Sequence, residues 1–198
     1  GAFETLGLAR ENAAEIVVSA AAPLTFDKLA ETDPTGVFVC GGLTPAYADA
    51  LCLDKGWLAY VKEHKLPYGG FSAGAAIAAE KAIVGGWRRA LPDGQTLEIA
   101  NENAGEDLDL LAVRAGLGLA PFAVEVHATQ WGTLTRLVHA VDARLADEGL
   151  AIDENTLVEI AENRVAVFGA GGAYRVRRRE DRSFIDIFRA GDHISPAE

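Results

Sequence analysis

The chain has 198 residues, 49% of them hydrophobic and 24% charged, the balance of an ordinary globular protein and too apolar for intrinsic disorder. Its net charge of −11 argues against a nucleic-acid partner and against a polybasic membrane patch, since both demand a basic surface. Two cysteines, Cys40 and Cys52, are too few for a disulfide scaffold. Both stand in apolar stretches, so two reduced, buried thiols in a cytoplasmic protein are expected.

The length predicts one domain over 1–198. No apolar run approaches the ~20 residues that span a bilayer, and Arg10, Glu11 and Asn12 interrupt the start too early for a leader. Residues 2–7 read as the end of a helix, with Gly7 as its C-cap. A strand is predicted over 15–19. A short helix follows over 23–31, with Phe26, Leu29 and Ala30 on its apolar side, and then a buried strand over 37–40 that runs straight into Gly41-Gly42. Residues 45–64 are helical in two pieces that meet near Gly56. A strand over 66–71 ends in a turn, and a small-residue helix over 73–81 follows it. The stretch 92–109 is polar, without apolar periodicity, and reads as a surface excursion.

A strand over 122–126 precedes a long helix over 130–147, with Leu134, Leu137, Val138, Val141 and Leu145 at helical spacing. The ending differs. Short strands over 156–161, 164–168, 173–178 and 183–188 read as antiparallel hairpins closing one edge. Buried strands separated by helices imply an α/β architecture. The expectation is a three-layer α/β/α sandwich with a mostly parallel sheet and an antiparallel C-terminal edge.

The best chemical signal is Gly70-Phe71-Ser72-Ala73-Gly74, between a predicted strand and a predicted helix. G-x-S-x-G in that setting is a nucleophile elbow: its glycines permit a tight turn, and the following helix directs its positive end at the serine. The Ala73 N–H can then contribute to an oxyanion hole. Cys40-Gly41-Gly42-Leu43-Thr44 ends another strand and supplies bare backbone N–H groups at the edge where open α/β sheets bind ligands. A serine nucleophile needs a base. Of the four histidines, His64 lies in a charged segment, His139 within the long helix and His193 near the C-terminus. His127 directly follows a strand, at the same kind of edge as Ser72. An orienting acid is offered by Asp153-Glu154, after the apolar run 150–152. Spacing alone leaves the choice between those two open.

G-G-L-T after a strand, then Y-G-G-F-S-A-G-A, V-H followed by G-T-L-T-R-L, and I-D-E-N-T together resemble the peptidase S51 family, which contains dipeptidase E and cyanophycinase. The resemblance runs from Phe3 to the C-terminus. It implies the flavodoxin-like fold of class I glutamine amidotransferases, with a strand that would precede Phe3. It also implies Ser72 as nucleophile, His127 as base, Glu154 as acid, and Gly42 and Ala73 as backbone oxyanion donors. Thr44 in G-G-L-T and Glu125 beside His127 become candidate substrate contacts. Trp131 stands where cyanophycinases carry an arginine.

The implied activity is hydrolysis of small acidic or β-linked peptides, without metal or cofactor, with a homodimer as the candidate assembly. A substrate carboxylate would need a cation, and Arg88 and Arg89 are the candidates. Two rivals stand beside this reading. An α/β-hydrolase esterase would need His139 or His193 as its base, and a catalytically silent binding module would need none.

Overall fold

The structure, a computed structural model, describes residues 9, 12–161 and 164–194. The helix end expected over 2–7 lies outside them. Thr25 caps the first helix, α1 (Phe26–Ala30), by accepting from the Lys28 N–H, and Leu29 is its buried residue. Strand β1 (Val37–Val39) is followed by α2 (Thr44–Leu51) and α3 (Gly56–Glu63), the two helical pieces expected around Gly56. These helices bury Leu51, Trp57, Leu58 and Val61 in one cluster with Leu29 and Val39.

Strand β2 (Tyr68–Gly70) lies parallel to β1 with Val37 opposite Tyr68. The helix after it, α4, is only Ala73–Ala76. The expected helix over 73–81 stops early because the backbone beyond it is claimed elsewhere: the Glu80 N–H donates to the Ala120 carbonyl, and β3 (Lys81–Gly85) begins at once. α4 packs so closely on β1 that a Cβ at Gly74 would lie 2.2 Å from the Val39 carbonyl oxygen, so only glycine fits.

The stretch 92–109 is structured, contrary to the plain surface excursion expected. Strands β4 (Arg88–Ala90) and β5 (Thr96–Glu98) form a hairpin, and a 3-10 turn covers Glu102–Ala104. Strand β6 (Ala112–Ala115) then returns antiparallel to β3.

Strands β7 (Ala123–Val126) and β8 (Glu148–Ile152) are parallel neighbours, joined through helix α5 (Leu134–Asp142). This helix is shorter than the expected 130–147. A turn precedes it, in which the Trp131 N–H donates to the His127 carbonyl, and Arg144 leaves it with φ 59°. Its Leu137, Ala140 and Val141 pack on Ala123, Ala151 and Val176.

The ending is antiparallel as expected, but it divides between two sheets instead of closing one edge. Strands β9 (Thr156–Ala161), β10 (Arg164–Gly169), β11 (Gly172–Arg179), β12 (Arg182–Arg189) and β13 (His193–Ile194) pair antiparallel in two sheets, ordered β13-β10-β9 and β12-β11-β8-β7. The fold is thus mixed α/β. Among the described residues the parallel strand pairs are β1–β2 and β7–β8, with isolated parallel bridges at Ala79–Ala120 and Arg88–Leu110, in place of one mostly parallel sheet.

The strand expected over 15–19 does not pair with another strand. Ile16 and Val18 face the core while Val17 is 82% exposed, so the period of two is present, but only Ser19 forms a bridge, to Ala22. Cys52 is buried, and burial raises its thiol to about 11. Cys40, expected inside, is exposed, because it has already left β1 for the glycine turn. Among the described residues no helix is long and apolar enough to cross a membrane.

Candidate active site

At the end of β2 the chain reverses sharply. The Phe71 N–H still bonds to the Val39 carbonyl. Ser72 then takes φ 51° and ψ −120° as the N-cap of α4, a conformation costly for a residue with a Cβ. The turn is crowded: a Cβ on Gly70 would sit 2.6 Å from the Gly74 carbonyl carbon. G-x-S-x-G is therefore a strained elbow that presents the serine hydroxyl at the strand end.

His127 and Glu154 reach the same place from the neighbouring pair. Val126 of β7 is in register with Ile152 of β8, so the two strands end side by side. His127 has φ 57°, which turns it out of the strand line. Its Nε2 is 3.1 Å from Ser72 Oγ, and its Nδ1 is 3.0 Å from Glu154 Oε1. A carboxylate only accepts, so Nδ1 of the neutral ring carries the proton and Nε2 accepts from the serine hydroxyl. The Trp131 ring stacks on the imidazole at 4.2 Å and 15°. The Glu154 N–H donates to Gln130 Oε1.

The choice between the two adjacent acids is now clear. Asp153 is buried and accepts four hydrogen bonds, from the Thr129 N–H and hydroxyl, the Gly172 N–H and the Tyr174 hydroxyl. Burial acts to raise its pKa, but these donors outweigh it and hold the carboxyl below its ordinary value. Asp153 ties the loop after β7 to β11. Glu154 is the acid that faces the imidazole.

Gly42 lies beside Ser72 on the wall of a cavity of about 790 Å³. Among the described residues neither the Gly42 nor the Ala73 N–H has an acceptor, as amides kept for an external oxygen require. α4 has four residues, so its dipole adds little beyond the Ala73 amide.

The expected substrate contacts lie elsewhere. Thr44 is buried, and its N–H donates to Glu106 Oε2 at 2.9 Å, capping α2 from across the cavity. Glu125 is 1% exposed, held bidentately by Arg136 at 2.7 and 2.8 Å. Arg136 also donates to the Ala104 carbonyl, which fastens the 3-10 turn to β7. Arg89 is drawn to Asp142 at 2.6 Å and to His139. Arg88 lies over the Trp87 ring with Asp109 at 3.5 Å. Neither arginine lines the cavity.

Sequence reading missed the cavity wall, which is the polar excursion itself. Glu102, Glu106, Asp107 and Asp109 line it, together with Trp87 and Trp131 and without a lysine or arginine. Glu106 and Asp107 have φ 57° and 59°. The signal that could have found the wall is Gly85-Gly86. Gly86 has φ 96°, and a Cβ there would lie 2.3 Å from the Leu110 backbone, so the excursion is folded back onto the strand end. Among the described residues no three His, Cys, Asp or Glu side chains gather as metal ligands. His139, beside Arg89, and His193, on β13, do not bond to Ser72.

No family model matches the chain. Two curated proteins do, the cyanophycinases of Synechococcus elongatus and Thermosynechococcus vestitus. Each is 31% identical over 158 residues, which is 77% of this chain and 42% of the relative. The match spans less than half the length of those relatives, and it supports a distant relationship to the peptidase S51 family.

Proposed function

We propose that the protein is a serine-type peptidase that cleaves small peptides through Ser72, His127, Glu154 and an acyl-enzyme. The observation that carries this reading is the unbroken chain from Ser72 Oγ through both imidazole nitrogens to Glu154, at 3.1 and 3.0 Å. The distant likeness to cyanophycinases supports hydrolytic chemistry.

In this reading His127 Nε2 takes the hydroxyl proton as Ser72 Oγ attacks the peptide carbonyl. The imidazolium is stabilised by Glu154, and the Gly42 and Ala73 amides receive the oxyanion. Such a donor is worth about 3–4 kcal/mol in other hydrolases. His127 then protonates the leaving amine, and water, deprotonated by the same nitrogen, releases the acyl group.

The cavity charge refines the substrate. Two like charges about 4 Å apart repel by about 1 kcal/mol in water and about 4 kcal/mol near a protein surface. Among the described residues, only Asp109 of the four carboxylates that line this cavity is ion-paired with an arginine. We assign the cavity to a neutral or cationic portion of the peptide. The acidic group implied by the family resemblance is not assigned to it.

The test is hydrolysis of a panel of α- and β-linked dipeptides bearing acidic, neutral and basic residues, with fluorophosphonate labelling mapped by mass spectrometry. Turnover and labelling at Ser72 are expected, with acidic members slowest. An unlabelled Ser72 in the intact protein would leave the silent binding module as the better reading.

A further inference from the structure

Gly41 and Gly42 leave β1 as a bare turn, and the ring of Tyr47, from α2, lies against it. A Cβ on Gly42 would sit 2.7 Å from Tyr47 Cε2, and the Tyr47 hydroxyl donates to the Gly41 carbonyl at 2.8 Å. Burial first, and then the neighbouring Cys40, push the Tyr47 phenol upward, so it stays a donor through neutral pH.

That carbonyl belongs to the same peptide unit as the Gly42 N–H. The unit is planar and trans, there being no cis bond among the described residues, so its C=O and N–H point in opposite directions. Holding the carbonyl on the Tyr47 side aims the amide away from Tyr47. Gly42 and Ser72 line one cavity, and a Cβ on Gly41 would lie 3.0 Å from the Ser72 Cβ. The amide is thereby presented in front of the nucleophile.

A peptide between two glycines turns over easily, because neither residue has a Cβ to resist it. Turned over, it would show the oxyanion a carbonyl oxygen instead of a donor. On the far flank, Glu106 holds the Thr44 N–H, so the turn is anchored at both ends.

We propose that Tyr47 is a positioning residue that locks the Gly41–Gly42 peptide with its amide toward the oxyanion, an inference that rests on the serine-peptidase reading above. Tyr47→Phe removes the hydroxyl and keeps the ring on Gly42. A small alkyl fluorophosphonate is the probe: Ser72 Oγ forms the bond to phosphorus, fluoride leaves, and the hydroxyl proton passes to His127.

At saturating probe the labelling rate of Tyr47→Phe should fall about 10- to 100-fold, short of the full loss of an oxyanion donor. Half-saturation and the thermal midpoint should hold. Wild type and variant labelled at equal rates would overturn the role of Tyr47 alone. So would a fall in thermal midpoint that accounts for the lost rate. A wild-type Ser72 that takes no label would overturn the peptidase reading, and this inference with it.

Discussion

The strand-end side of the cavity and its acidic wall are built by different means. Ser72, His127 and Glu154 each follow a strand of a parallel pair, β2 beside β1 and β7 beside β8, so backbone ladders place them. The wall over 102–109 has a single 3-10 turn of its own and is held at separate points: the Gly86, Trp87 and Arg88 N–H groups donate to the Gly105 and Asp109 carbonyls, Arg136 grips Ala104, and Glu106 grips Thr44. Ladders give repeatable geometry, as bond-making requires. A loop tethered at a few points can change its lining residues without disturbing the reacting groups.

The largest expected effect isolates the strand-end side. Ser72→Ala and His127→Ala should each lower hydrolysis by about 10⁴-fold or more, and Glu154→Gln by about 10³-fold, in steady-state assays. All three should move the thermal midpoint by no more than about 2 °C. A large drop in midpoint would make the residue structural and erase the contrast.

Next comes the clamp that joins the two regions. Arg136→Met strands a buried carboxylate and should lose about 3–5 kcal/mol in denaturant titration. Removing both charges, with Glu125→Leu added, should recover much of that loss, while both variants lack the Arg136 hold on Ala104 and should show a KM above the wild-type value.

Asp153→Asn should lose about 1–3 kcal/mol, from a buried acceptor whose four donors are poorly served by an amide. The folded-state pKa of Asp153 is depressed. Its contribution is therefore complete above the ordinary aspartate range and is lost as pH falls through the lower folded value. The variant should show a shallower acid limb of stability against pH. The smallest effect belongs to the wall. Asp107→Asn should shift KM about 2- to 5-fold in favour of acidic over basic dipeptides, with kcat unchanged, and the shift should shrink with added salt.

The strand-end side was the more legible in the sequence, for a physical reason. A G-x-S-x-G elbow is a local constraint, and a histidine just after an apolar strand declares its edge. Asp153 and Glu154 could not be told apart, because their roles depend on the pairing of Ala173 with Ile152, which brings Gly172 and Tyr174 over Asp153. Arg88 and Arg89 misled because their partners, Asp109 and Asp142, come from distant segments. The sheet was read as one mostly parallel layer because apolar runs report burial and not the identity of the neighbouring strand. The strand over 15–19 shows the same limit: Ile16 and Val18 alternate correctly with Val17 and still have no ladder partner.

The backbone carries one more consequence. Among the described residues nine non-glycine positions have positive φ, and four of them, Ser72, Glu106, Asp107 and His127, line the cavity or bond to a residue that does. Left-handed backbone at residues with side chains stores energy, so the cavity rim acts as a loaded spring held shut by the ladders and by Arg136. A search for greater heat resistance would find its gains at this rim, where glycine in place of a residue with a Cβ releases the strain. Each such gain would slacken the alignment of serine, imidazole and carboxylate, so durability and turnover should trade against each other here sooner than anywhere else in the chain.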